Sequence, residues 1–225
     1  HHTEMMDIEH TFSRCEEGYI YEMHRQDGSK IVSIVYDLKS NHVFMSPSDC
    51  LMSVKYAMWV AFTLSAIEKN VIPIHASSIV KDSEAVLFLG ESGTGKSTHT
   101  GLWLKYITDS YLLNDDSPLL RFDGDNIFVC GSPWSGKTHC YCQNVVLLKA
   151  IVRLSQYPEN KMKCSTKLTS IGAIQPSFPP FLAYDKFFSE KVIYLIDKII
   201  KHIPVYELKC RPDQQAAEIA FATIY

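Results

Sequence analysis

An apolar run, Ala85-Val86-Leu87-Phe88-Leu89, leads directly into Gly90-Glu91-Ser92-Gly93-Thr94-Gly95-Lys96-Ser97. This junction constrains the fold more than any other stretch. A short continuous apolar run reads as a central strand buried on both faces. The residues after it match G-x-x-x-x-G-K-[ST], and 98–106 reads as the helix that such a loop opens. Glycines let the loop turn so that successive N–H groups converge on phosphate oxygens, and the helix N-terminus adds a favourable dipole. Lys96 has the reach for β- and γ-phosphates, and the Ser97 hydroxyl suits a Mg²⁺ ligand. The binding set expected from the motif is Gly90, Glu91, Ser92, Gly93, Thr94, Gly95, Lys96, Ser97 and Thr98.

A second stretch, Gly131-Ser132-Pro133-Trp134-Ser135-Gly136-Lys137-Thr138, satisfies the same expression. Proline has no N–H to offer there, and tryptophan is bulky where a backbone should approach closely. The residues after it, 139–154, read as strand rather than helix. This stretch is expected to be a loop of another kind, with Trp134 and Lys137 as candidate contacts for substrate or nucleotide or, equally, a tight turn anchored by the tryptophan.

Asp115 and Asp116 follow the run Tyr111-Leu112-Leu113-Asn114. A carboxylate soon after the loop's helix is where Mg²⁺ needs organising. Two adjacent carboxylates can divide the work, one on the metal and the other orienting or deprotonating a hydroxyl. His75 lies in 71–80, read as the strand preceding the loop strand. Adjacent strands would bring it near the phosphates.

The other elements come from pattern. Strands are expected at 19–23, 31–36 and 42–45. A helix is expected from Ser46-Pro47-Ser48-Asp49, with a serine cap and proline at its first position, to about 68, apolar nearly all round. A hairpin is expected across Asp123-Gly124-Asp125-Asn126, a strand at 145–154, helices at 165–173 and 185–202, a strand at 205–210, and a last helix opened by Pro212-Asp213. The layout is mixed α/β.

Hydrophobic residues make up 46% and charged residues 21%, with a net charge of -3. That balance points to a globular cytoplasmic protein and away from nucleic acid or a membrane as partner. Seven cysteines without a C-x-x-C pair read as reduced thiols. His139, Cys140 and Cys142 lack the second ligand pair that a structural zinc site needs. His1-His2 reads as a tag remnant or a trimmed terminus.

The order Ile74-His75-Ala76-Ser77, then the glycine-rich loop, then Leu113-Asn114-Asp115-Asp116 resembles the HPr serine kinase/phosphorylase family. It is also similar to the ATP-dependent phosphoenolpyruvate carboxykinases, which share that nucleotide-binding core. The resemblance covers 71–154, and the ending Ile203-Pro204-Val205-Tyr206-Glu207-Leu208 with Cys210-Arg211-Pro212-Asp213 is similar to the tail of HPr-kinase-related proteins. It implies a P-loop kinase core with a mixed sheet and flanking helices over 51–225, and a small N-terminal β segment over 1–50. It also implies ATP and Mg²⁺ as cofactors, with Lys96 and the loop backbone on phosphates and Ser97 and Asp116 on Mg²⁺. Asp115 would be the base toward the acceptor. His75 is a metal ligand in the carboxykinases and an acid/base partner near the acceptor in the HPr kinases; the second role is favoured.

The chain has no segment resembling the glycine-rich signature that comes after Asp-Asp in HPr kinases, which points away from HPr as acceptor. The expected activity is transfer of the γ-phosphoryl group to a hydroxyl of a protein, peptide or small molecule. A nucleotide-binding regulator without transfer is the alternative. No L-S-G-G-Q-like or N-K-x-D segment supports a transport ATPase or a GTPase. Homo-oligomerisation is left open.

Overall fold

The computed structural model describes residues 8–225; the His1-His2 pair lies outside them. The chain divides into two compact units: residues through Lys69 with Phe181–Ser189, and Asn70–Pro180 with Glu190–Tyr225.

The first unit is an antiparallel meander of β1 (Ile8–Arg14), β2 (Gly18–Arg25), β3 (Lys30–Asp37) and β4 (His42–Met45), in that spatial order. Tyr19, Tyr21 and Met23 of β2 stand opposite Tyr36, Ile34 and Val32 of β3. All six are buried, so period-two alternation gives this sheet one covered face. Helix α1 (Leu51–Ala66) packs on β3 and buries Ser53, Ala57, Val60 and Leu64, one stripe at helical spacing. Leu51, Met52 and Met58 stay exposed, so the helix is buried on one side and not all round.

Helix α1 also starts later than its sequence signals suggest. Ser46 is held by the sheet: its N–H donates to Ser33 O, and its hydroxyl accepts from Ser33 N at 2.9 Å. A residue committed to strand pairing cannot cap a helix, so the start slips to Cys50, which makes no side-chain cap. Because α1 covers β3, residues 51–69 group with the N-terminal strands and not with the second unit.

The second unit is built on a nine-stranded mixed sheet. Its strands are β5 (Val71–Pro73), β6 (Ser77–Lys81), β7 (Glu84–Leu89), β8 (Tyr111–Asn114), β9 (Leu119–Asp123), β10 (Asn126–Cys130), β11 (Val145–Gln156), β12 (Lys161–Cys164) and β13 (Val205–Cys210). The main path runs β5-β9-β10-β11-β7-β6-β8, while β13 joins β11 past the end of β10 and pairs with β12. Strands β7, β11 and β13 are parallel, so their C-terminal ends lie together, where ligands bind in open α/β sheets. The helices of this half are α2 (Lys96–Tyr106), α3 (Lys167–Ile174), α5 (Gln214–Ile224) and, from Glu190 on, α4 (Lys186–His202). Helices α2 and α5 pack together and seal a core that includes Phe88, Trp103, Val152, Leu154, Leu208 and Ala217. Among the described residues, no helix is long and apolar enough to cross a membrane.

The segment 71–80 is two strands and not one. Pro73 has no N–H for a ladder, and the next three amides leave the sheet for other partners. Ile74 N donates to Pro118 O, His75 N to Ser177 O and Ala76 N to Asp116 O. The two ends of the sheet path therefore meet where 74–76 runs beside 115–118. Both segments carry residues singled out for chemistry, and their backbones are fixed by each other.

Candidate functional site

The glycine-rich loop links β7 to α2 as its pattern requires. Gly93 and Gly95 have φ of 81° and 103°, a region that side chains disfavour. At Gly90 an added Cβ would sit 2.6 Å from Thr94 Oγ1, so that position needs glycine for closeness instead. Gly95 is the N-cap of α2 and supplies no side-chain cap, which leaves first-turn amides open to an anion. Ser97 and Thr98 are exposed in that turn.

Lys96 is buried and folded back over the loop. Its Nζ donates to Gly90 O at 2.8 Å and to Glu91 O at 3.3 Å, and lies 3.0 Å from His75 Nε2. Burial pushes the ammonium below the usual lysine range; Asp116 opposes that shift and Arg153 adds to it. With an ammonium as donor, His75 Nε2 must accept, which places the imidazole proton on Nδ1. That nitrogen lies 3.6 Å from Asp116 Oδ1, and both side chains are half-exposed. Lys96, His75 and Asp116 thus form one chain of charged and polar groups at the mouth of the loop.

Asp115 points elsewhere. Its Oδ1 accepts from Ser135 Oγ and Gly136 N, both at 2.7 Å, and its Oδ2 accepts from Thr138 N at 2.9 Å. Burial would raise this carboxyl, but hydrogen bonds from Thr138, Ser135 and Gly136 outweigh it and hold the group below the usual carboxylate range. The anion held by the second G-x-x-x-x-G-K-T stretch is therefore a carboxylate of the same chain. A side chain at Gly136 would crowd that carboxylate, since an added Cβ would lie 3.1 Å from Asp115 Oδ2 and 3.3 Å from Asp116 Cβ. No helix comes directly after this loop. Lys137 is exposed on it and Trp134 is partly buried.

Asn114 joins the two loops. It is fully buried; its Oδ1 accepts from Asp116 N and Ser117 N, while Nδ2 donates to Ser132 Oγ and Trp134 O. Nothing about a lone asparagine at a strand end announces that role.

Beside the loop opens a pocket of about 650 Å³, lined by Gly93, Thr94, Gly95 and Thr98 on one side. Leu102, Leu154, Tyr157, Arg211 and Pro212 line the rest, and the surface is mostly apolar. His99 lies beneath it, 3.2 Å from Trp103 Nε1, and burial lowers its pKa to about 4, so it is neutral. Sequence reasoning reached Thr98 but not Tyr157 or Arg211, which become neighbours only because β11 and β13 end beside β7. Among the described residues no group of three or more His, Cys, Asp or Glu side chains could hold a metal ion.

No protein-family model matches the chain. It is 32% identical over 84 residues to the phosphoenolpyruvate carboxykinase (ATP) of Brevibacillus brevis, a match that takes in 37% of this chain. The chain spans about 15% of the length of that curated relative. The HPr(Ser) kinase/phosphatase from Coxiella burnetii is a structural neighbour at 13% identity and a TM-score of 0.39, over 67% of this chain and 93% of that one.

Proposed function

We propose that the second unit is an ATP- and Mg²⁺-dependent kinase of the HPr kinase and phosphoenolpyruvate carboxykinase type, moving the γ-phosphoryl group to a hydroxyl. The acceptor in this reading is a serine of a protein or peptide. The observation that carries it is the Lys96–His75–Asp116 chain beside a loop whose amides are open to anions. The local sequence match to a phosphoenolpyruvate carboxykinase (ATP) supports ATP as the nucleotide.

The loop backbone holds the phosphates, and Lys96 exchanges the Gly90 and Glu91 carbonyls for phosphate oxygens. That exchange frees His75 Nε2 to accept the proton of the attacking hydroxyl, and Asp116 then stabilises the imidazolium. Mg²⁺ keeps several waters and takes one or two protein oxygens beside phosphates, so it does not require the three-residue cluster that is absent among the described residues. The exposed Ser97 hydroxyl and the half-exposed Asp116 carboxylate fit that requirement. When bound, the ion neutralises charge that develops on the transferred group. In this reading Asp115, expected as base, is the anchor of the 131–138 loop; that both its oxygens accept hydrogen bonds supports this role. That loop presents Trp134 and Lys137 to the acceptor.

The test is transfer of labelled γ-phosphate from ATP, with Mg²⁺, to candidate protein and peptide acceptors. Asp116→Asn should lower the transfer rate by about 10² or more while Asp115→Asn retains the larger residual rate. Nucleotide binding with no transfer to any acceptor would favour a regulator. The apolar pocket is assigned to the nucleoside, stacked on Tyr157. Tyr157→Ala should weaken ATP by about tenfold, the scale of aromatic–base stacking, and leave inorganic tripolyphosphate unchanged. Equal losses for both ligands would remove the base from that pocket.

A further inference from the structure

The end of β11 grips the glycine-rich loop at two points. Arg153 stands in register with Leu89, the last residue before the loop. Gln156 Nε2 donates to Gly93 O at 3.2 Å, and Arg153 Nη2 lies 3.6 Å from Glu91 Oε1. The guanidinium also makes a 3.5 Å hydrogen bond to Ala173 O. These groups line a groove of about 480 Å³ with Ser92, Gly93 and Thr94. Glu207 also lines it, but Lys163 neutralises that carboxylate at 3.0 Å.

Neither contact of the guanidinium is short, although it carries five N–H donors in a fork suited to phosphate. The Glu91 side chain is 87% exposed, against 23% for Arg153. An exposed pair of that kind is worth about 0–1 kcal/mol, so an incoming anion exchanges with it readily. Arg153 is close enough to Lys96 to disfavour its charge. Two cations meet one loop, Lys96 at the Gly90 and Glu91 carbonyls and Arg153 at the Glu91 side chain, and together they favour an anion of more than one charge. The proposed nucleoside pocket lies at Thr98 and Tyr157, whereas Arg153 and Lys96 meet the loop at Glu91 and Gly90. A nucleotide laid along the loop therefore brings its outermost phosphate to Arg153.

We infer that Arg153 is a second phosphate-contacting cation, held by Glu91 until a nucleoside triphosphate arrives and then transferred to its terminal phosphate. This rests on the nucleotide reading above and adds a residue that distinguishes triphosphate from diphosphate.

The experiment is calorimetric titration of the parent, Arg153→Met, Arg153→Lys and Glu91→Gln with Mg-ATP and with Mg-ADP. Arg153→Met should weaken ATP by about tenfold or more, as a lost charge-assisted hydrogen bond does, and ADP by less than about threefold. Arg153→Lys should recover part of the loss, and Glu91→Gln should tighten ATP by about two- to fivefold, because the arginine is no longer held. Unchanged ATP affinity in Arg153→Met, or equal losses for ATP and ADP, would overturn the assignment. If Arg153→Met does not fold, Glu91→Gln decides: ATP affinity no tighter than the parent's would overturn it. A parent that binds neither nucleotide would remove the nucleotide reading itself, an outcome distinct from a parent that binds and a variant that does not differ.

Discussion

Lys96→Met is expected to abolish stabilisation of the fold by Mg-ATP. In the parent, ligand at about 100 times its Kd adds about 2.7 kcal/mol to unfolding. In a protein of this size each kcal/mol raises Tm by about 2–4 °C, so the parent should gain about 5–10 °C and the variant less than about 1 °C. The size of the loss reflects where the ammonium sits. Lys96 is 8% exposed and already bonded to two loop carbonyls, so its reach to phosphate needs only a change of partner. Methionine keeps the stem and removes the charge. The unliganded protein should change little, because deleting the cation ends a desolvation cost together with its hydrogen bonds. Scanning fluorimetry with and without Mg-ATP reads both quantities. Protection of the variant equal to that of the parent would show that the loop does not hold phosphate through Lys96.

The loop was legible because its chemistry is local: strand, glycines, lysine and helix succeed one another in sequence. The Asp-Asp pair was legible as a place but not as a division of roles. Which of the two lies beside His75 and Lys96 depends on 131–138, some 20 residues away, and on Asn114 holding both segments. Pro133 and Trp134 mark the second motif match as a different kind of loop. Its ligand could not be read, because an amide cradle looks alike in sequence whether it holds a phosphate or a carboxylate. His75 does lie beside Lys96 of the glycine-rich loop, though not for the reason its pattern suggests. It stands in the break between β5 and β6, made by Pro73, and not on a continuous strand. Strands β1 and β12 gave no sequence signal: β1 is mostly polar apart from Ile8 and Phe12, and β12 alternates lysine with Met162 and Cys164. The helix start at Cys50 was hidden for the opposite reason, since a good capping serine is taken by the sheet. Arg153 reaches the loop, and Tyr157 and Arg211 line the pocket beside it, only through strand order, which no single segment reveals.

Asp115→Ala is expected to be the most destabilising change in the site, at about 2–4 kcal/mol, because it orphans two amides and a hydroxyl that were bonded to a charge. Asp115→Asn should cost less than alanine yet more than an isosteric change suggests. One amide oxygen can still accept from Ser135 and Gly136, but the amide nitrogen then meets the N–H of Thr138, donor against donor. The pH dependence separates the charge from the shape. The hydrogen bonds hold the folded pKa of Asp115 below its unfolded value, so the unfolded state binds more protons as acid is added. Its contribution is therefore fully present above the ordinary carboxylate pKa and is lost as pH falls through the lowered folded value. Urea unfolding between pH 6 and about pH 3 should show the gap between parent and Asp115→Asn narrowing with acid. A gap that stays constant over that range would mean that Asp115 is not held as a charged group. If the gap narrows while Asp115→Asn retains phosphoryl transfer within about tenfold of the parent, the carboxylate is an anchor for 131–138; a variant that binds nucleotide but no longer transfers would restore it as the base. With Asp115 as anchor, the acid/base step in the proposed kinase would rest on His75 and Asp116, the pair beside Lys96.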